Sequence, residues 1–155
     1  MFDTLRRLGA RSSTYPGPYR AGTSIGATGG NPPLVSERVT TAGDLGRILA
    51  TVHAAAGSEA AALTASGLTR KSARLALGYL LNSLPSGDNL GMLRPEVPAS
   101  VPMARKEGWL TDARHAAAIL FKPTGAQVLV ILTYREGITL TQARGLARSV
   151  LRSIE

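Results

Sequence analysis

Two stretches and a pair of histidines in the 155-residue sequence carry side chains whose types and spacing could do chemistry. Gly22-Thr23-Ser24-Ile25-Gly26 has the G-x-S-x-G spacing of a nucleophile elbow, in which a strand-to-helix turn lifts a serine hydroxyl for acyl transfer. Tyr15-Pro16-Gly17-Pro18 precedes it and Ala27-Thr28-Gly29-Gly30 follows, so neither a strand nor a helix is read beside it, and the match is one of spacing only. The same glycines lack the Lys-Ser/Thr pair of a phosphate loop. His53 and His115 are the only histidines; they lie far apart, without cysteine or H-E-x-x-H spacing, so no metal and no cofactor is expected. The second stretch is Lys106-Glu107-Gly108. Taken alone, Lys106 and Glu107 read as an ordinary exposed ion pair on an edge strand.

The elements that must position these residues follow from periodicity. Phe2, Leu5 and Leu8 fall at helical spacing and Gly9 is a natural stop. Residues 10–38 are rich in Gly, Pro, Ser and Thr and read as a long irregular segment of the omega-loop kind, a length usually tied to function. Thr41 and Asp44 have capping-box spacing ahead of the stripe Leu45, Ile48, Leu49 and Val52, which Gly57 ends. A short Ala-rich helix covers Glu59 to Ala65. A third helix begins near Thr69, with Ala73, Leu77, Leu80, Leu81 and Leu84 on its buried face, and Pro85 to Asn89 terminate it. Then the character changes. Val101–Leu110, Arg114–Phe121 and Ala126–Tyr134 read as strands, the last with the near-continuous apolar run Val128 to Leu132. Their short connections, 111–113 and 123–125, imply antiparallel hairpins. A last helix opens with a Thr139/Gln142 capping box and would bury Ala143, Leu146, Ala147, Val150, Leu151 and Ile154. The class is α+β: residues 41–84 helical, a three-strand antiparallel meander over 100–134, and a helix at 139–154 that lies on one face of the sheet. No internal repeat is visible.

Composition narrows the function classes. A hydrophobic fraction of 44% and a charged fraction of 18% are those of a folded domain, and one domain spanning 1–155 is expected. There is no cysteine, which removes disulfides and thiolate chemistry. No run approaches the ~20 apolar residues of a transmembrane span, and Met1-Phe2-Asp3 does not open a secretory leader. The net charge of +8 favours anionic partners. Arg70, Lys71 and Arg74 cluster on one helix, and Arg144, Arg148 and Arg152 form an i, i+4, i+8 stripe on another. Aromatics make up only 5% and do not interleave with these bases, so nucleic acid is an unlikely partner.

Set in this order of elements, Lys106-Glu107-Gly108 resembles the K-[TS]-G strand of the serine β-lactamases and penicillin-binding proteins, closest to the class A branch. Arg114-His115-Ala116-Ala117-Ala118-Ile119 resembles the strand that follows K-T-G, and Ala126–Tyr134 the last core strand. Arg38-Val39-Thr40-Thr41-Ala42-Gly43-Asp44-Leu45 resembles the helix start after the omega loop, and the helix at 68–81 and Leu93-Arg94-Pro95 also fit. The resemblance implies a β-lactamase/transpeptidase-like fold and acyl transfer on β-lactams or peptidoglycan peptides, in a family that is typically extracytoplasmic. It implies that Lys106 offers a cation to a ligand carboxylate, that Gly108 is the glycine of the substrate-binding K-T-G strand, that the Trp109 backbone N–H donates to an oxyanion, and that Arg114 adds an anion contact. Glu107 stands where the family has a hydroxyl that binds the same carboxylate. A carboxylate facing a carboxylate is repulsive.

The departures bear on activity. No serine has a lysine three residues on, so S-x-x-K is absent; S-D-N and E-x-x-L-N are absent too. Ser86-Gly87-Asp88-Asn89 echoes S-D-N from the wrong place, in the turn before the K-x-G strand. In the family both S-x-x-K and S-D-N precede the segment matched by residues 1–9, so the chain is expected to be an incomplete domain that begins just after them. Three functions stay open: a serine hydrolase represented by its C-terminal half, a non-catalytic binding module on the same fold, or a basic binder of nucleic acid or anionic surfaces. An incomplete domain implies a missing N-terminal half or self-association as its partner.

Overall fold

Hydroxyl side chains open the three longer helices. A computed structural model describes residues 2–14, 39–83 and 91–154. Helix α1 covers Phe2–Arg7, α2 Ala42–Ala56, α3 Ala60–Ser66, α4 Arg70–Leu81 and α5 Leu140–Ser153. Thr41, Thr69 and Thr139 sit in extended backbone at the caps of α2, α4 and α5, and each accepts from the amide three residues on. This satisfies one of the free N–H groups of the first turn. Full capping boxes form at Thr69/Ser72 and Thr139/Gln142. At Thr41 only half of the expected box forms. Asp44 is fully buried and turns its carboxylate to the Ser12 amide at 2.7 Å, the Ser13 hydroxyl at 2.8 Å and Arg47 at 3.1 Å. It thereby ties the segment after α1 to the first turn of α2, beside a single bridge between Thr14 and Val39.

Strands β1 (Met103–Leu110), β2 (Ala113–Lys122) and β3 (Gly125–Leu132) form one antiparallel sheet in the order β1-β2-β3. The meander is as expected, with shifted ends. The turns are two residues long, Thr111-Asp112 and Pro123-Thr124, so Ala113 and Gly125 belong to strands. The third strand ends at Leu132 rather than Tyr134, because Thr133 reaches β2 through side chains in place of ladder bonds, its amide to His115 Nδ1 at 3.1 Å and its hydroxyl to the Arg114 carbonyl at 2.6 Å. Asp112 anchors the chain beyond: its Oδ1 accepts from the Gly137 amide at 2.7 Å and its carbonyl from the Arg135 amide at 2.9 Å. Among the described residues no strand pairs with the outer edge of β1 or of β3.

The period-2 alternation of strands sends successive side chains to opposite faces. On one face Met103, Ala116, Ala118, Leu120, Leu129 and Ile131 meet Ala143, Ala147 and Leu151 of α5, closed at the side by Met92, Leu93 and Val97. On the other, Ala104, Ile119, Val128 and Val130 meet Leu49 of α2 and Leu77 and Leu80 of α4. Alanine at four positions of β2 lets layers approach on both sides. A small Ala-rich cluster, Ala55, Ala56 and Ala73 with Leu63 and Leu68, joins α2, α3 and α4. Three residues assigned to buried stripes are exposed instead: Leu81 in the last turn of α4, Leu146 on the flank of α5 and Ile154 at its cap. The basic stripe of α5 is partly engaged. Arg148 pairs with Glu96 at 2.8 Å and Arg144 donates to the Gly91 carbonyl at 3.0 Å. Leu84, the Gly22–Gly26 stretch, Ser86–Asn89 and most of the irregular segment lie outside the described residues.

Candidate functional site

Strand alternation divides the five candidate residues between two faces. Lys106 is exposed and opposes Ala117, and Gly108 opposes His115; both belong to the face that carries Ala104, Ile119, α2 and α4. Arg105, Glu107 and Trp109 belong to the α5 face, with Arg114 opposite Trp109. The expected Lys106–Glu107 ion pair therefore does not form, and the Glu107 carboxylate does not face whatever Lys106 holds. The Lys106 ammonium instead donates to the backbone carbonyl of Glu107. The anion contact expected of Arg114 is also displaced: its guanidinium stacks over the Trp109 ring, 5.3 Å from the centroid, and donates to the Ala113 carbonyl at 2.9 Å.

Peptide groups alternate as well. The Phe121 amide donates to the Pro102 carbonyl at 3.0 Å, which makes that pair hydrogen-bonded. Hydrogen-bonded pairs recur every second residue in an antiparallel ladder. The peptide groups of Ala104, Lys106 and Gly108 thus point to β2, and those of Arg105, Glu107 and Trp109 point to the open edge of β1. The Trp109 N–H faces outward at that edge, and the Lys106 ammonium is drawn to the same edge by the Glu107 carbonyl. A cation and a free backbone donor on one strand edge can together hold an anion.

Glu107 is 4% exposed, and burial pushes its carboxyl above the usual range, against the opposing pull of the Arg105 and Lys106 charges. Neither carboxyl oxygen meets a protein hydrogen-bond partner, nor do Arg105 Nη1, Trp109 Nε1 or Arg114 Nε. This row of polar groups was not apparent as a unit in the sequence. The period-2 spacing of Arg105, Glu107 and Trp109 was the signal for it.

On the Lys106 face, among the described residues, α2 and α4 cover one end of the sheet. The other end forms a groove of about 700 Å³, floored by Ala117 and Leu132, walled by Leu45, Ile48 and Leu49 of α2, and rimmed by Lys106, His115, Thr40, Thr133 and Tyr134. Burial pushes the His115 imidazole below its usual value, and its Nδ1 accepts the Thr133 amide, which requires the unprotonated nitrogen there. His53, half-buried at the far end of α2, tilts against Phe121 at 5.7 Å. No group of three or more His, Cys, Asp or Glu among the described residues could hold a metal.

The model of the beta-lactamase enzyme family matches residues 3–154. The chain belongs to that family. Its fold is similar to that of PBP-A, at 14% identity and a TM-score of 0.65, over 99% of this chain and 49% of that one. A PBP-A mutant solved as an acyl-enzyme complex with penicillin G aligns at 14% identity and 0.64, over 99% and 50%. A β-lactamase from Sphaerobacter thermophilus aligns at 15% identity and 0.62, over 98% and 51%. The chain therefore spans about half the length of these solved relatives. No curated protein matches it.

Proposed function

We propose that this chain is the part of a β-lactamase-like domain that holds the acyl group's anionic end, and that it has no hydrolytic activity as these 155 residues alone. The observation that supports this reading best is the shared edge of β1, where the Lys106 ammonium and the Trp109 N–H converge while Glu107 is turned to the opposite face. Lys106 offers charge to a carboxylate of a β-lactam or a peptidoglycan peptide. Trp109 offers the backbone donor that stabilises an oxyanion during acyl transfer. The nucleophile and its base must come from elsewhere, since no Ser-x-x-Lys occurs in the sequence.

That absence also favours a second reading, a non-catalytic module that binds the same ligands on the same edge. Both readings make the ligand site depend on Lys106 and not on Glu107 or Arg114. Titration of a penicillin into 15N-labelled chain is expected to shift the amides of Lys106 to Leu110. Lys106→Ala should abolish these shifts and Arg114→Ala should leave them. Shifts that survive Lys106→Ala, or a binding surface on α5, would overturn both readings. Binding of DNA with a steep loss on adding salt would favour the basic-surface reading instead.

A further inference from the structure

We propose that the outward face of α4, with the cations gathered at its start, is a docking surface for an anionic lipid bilayer. Helix α4 packs inward through Ala73, Leu77 and Leu80. A helix with one buried stripe ordinarily turns polar side chains to water. Here the outer side is apolar as well: Leu75 is 57% exposed and Tyr79, one turn on, is 71% exposed. Residues at i and i+4 share a helix face, so Lys71, Leu75 and Tyr79 form one outward row. Gly78 stands beside that row with open space where a side chain would be, so the flanks of Leu75 and Tyr79 are uncovered there. Exposed apolar residues scattered singly are ordinary on a surface. A row of them that continues a set of cations is not scattered.

Charge selects the occupant. Arg70, Lys71 and Arg74 are exposed in the first two turns of α4. The fold adds a fourth cation from far away in sequence: the guanidinium of Arg7, on α1, lies beside Gly67, three residues before Arg70. Among the described residues none of the four pairs with a carboxylate; the ion pairs there are Arg47 with Asp44 and Arg148 with Glu96. Leucine and tyrosine beside unpaired cations match the boundary of an anionic bilayer. There leucine enters the acyl region, tyrosine sits at headgroup level, and long basic side chains reach the phosphates. Nucleic acid would use the cations and leave Leu75 in water. A protein partner seats its anchors in pockets, and this row stands on the convex outside of a helix. No helix among the described residues is long and apolar enough to cross a membrane, so the contact is peripheral.

Docking on α4 needs nothing from the Lys106 edge, so lipid binding and penicillin binding succeed or fail separately. The full chain is sedimented with vesicles of phosphatidylcholine alone and with vesicles of equal parts phosphatidylcholine and phosphatidylglycerol. Binding is expected to the anionic vesicles only. Arg70→Gln with Lys71→Gln should weaken it roughly tenfold or more, and Leu75→Gln with Tyr79→Ser should weaken it comparably. Arg135→Gln with Arg152→Gln removes the same charge from other exposed positions and should leave most of the binding. All of these side chains are exposed, and circular dichroism checks that each variant keeps its helices. A second measurement uses the unsubstituted face. The chain has no cysteine, so Asn82→Cys, which continues the outward row, or Thr141→Cys on α5 takes a single environment-sensitive dye. Anionic vesicles should shift the emission of the dye at 82 to the blue and leave that at 141 unchanged. Equal binding to both vesicles, binding to neither, or equal loss from the two pairs of arginine and lysine changes would overturn the proposal. So would a dye shift at 141 in place of 82, or binding of duplex DNA in place of the anionic vesicles.

Discussion

Glu107 shows how one residue's meaning depends on the face it takes. In sequence it stands between Lys106 and Gly108 and reads as a charge that spoils an anion site. In the fold it is buried on the α5 side, near Arg105, with no hydrogen-bond partner for either oxygen. Its raised carboxyl means that the native state keeps the proton to higher pH than the unfolded chain does. Between those two values the native state binds more protons, so stability falls as pH rises. Glu107→Gln should therefore stabilise the chain on the order of 1 kcal/mol at about pH 7.5, and the gain should vanish toward about pH 3, well below the ordinary glutamate range, where wild-type Glu107 is neutral in both states. His115 works in the opposite sense. Its depressed value means that stability is full above the ordinary imidazole range and is lost as pH falls through it. Thermal melts of wild type and Glu107→Gln across this range check the sign: a gain that grows on acidification would show that burial does not govern the group.

At the scale of elements, Gly46 is the informative position. It lies in the middle of α2, where glycine costs roughly 1 kcal/mol relative to alanine. A Cβ there would sit 4.0 Å from the Val128 and Val130 methyls, in ordinary contact. Gly46→Ala should raise stability by about 0.5–1 kcal/mol, measured by denaturant titration. Gly91→Ala should do the reverse, since Gly91 holds a φ of +90° and a Cβ would come within 2.8 Å of Pro95 Cδ. Periodicity made the elements themselves legible. The stripe of α2, the capping residues Thr41 and Thr139 and the three strands are all readable, because helix and strand spacing are local properties. What was not legible is tertiary. Asp44 reads as a helix cap, yet its oxygens reach Ser12 and Ser13, some thirty residues back. Arg114 reads as an anion ligand, yet the register with Trp109 turns it away from Lys106. Leu45 and Ile48 read as core, and only the placement of α2 over one end of the sheet shows that they line a groove.

Among the described residues the molecule is a sheet with α5 on one face and α2 and α4 on the other. Acyl transfer needs nucleophile, base and oxyanion donors in one place, and on the proposed reading this chain supplies the oxyanion donor, while its sequence holds no Ser-x-x-Lys. A chromogenic cephalosporin is therefore expected to remain unhydrolysed by the purified 155 residues, within the background rate of buffer. Turnover that disappears in Ser24→Ala would instead make Ser24 a nucleophile. The outer edge of β3 carries a different consequence. Its backbone donors and acceptors form a ready template, and Val128 to Leu132 is an uncharged, strongly β-forming run. Newly made chains that meet along this rim can stack on one another strand by strand. The yield of usable protein in a cell should then fall as the crowding of freshly made chains rises, because each encounter along the rim competes with folding.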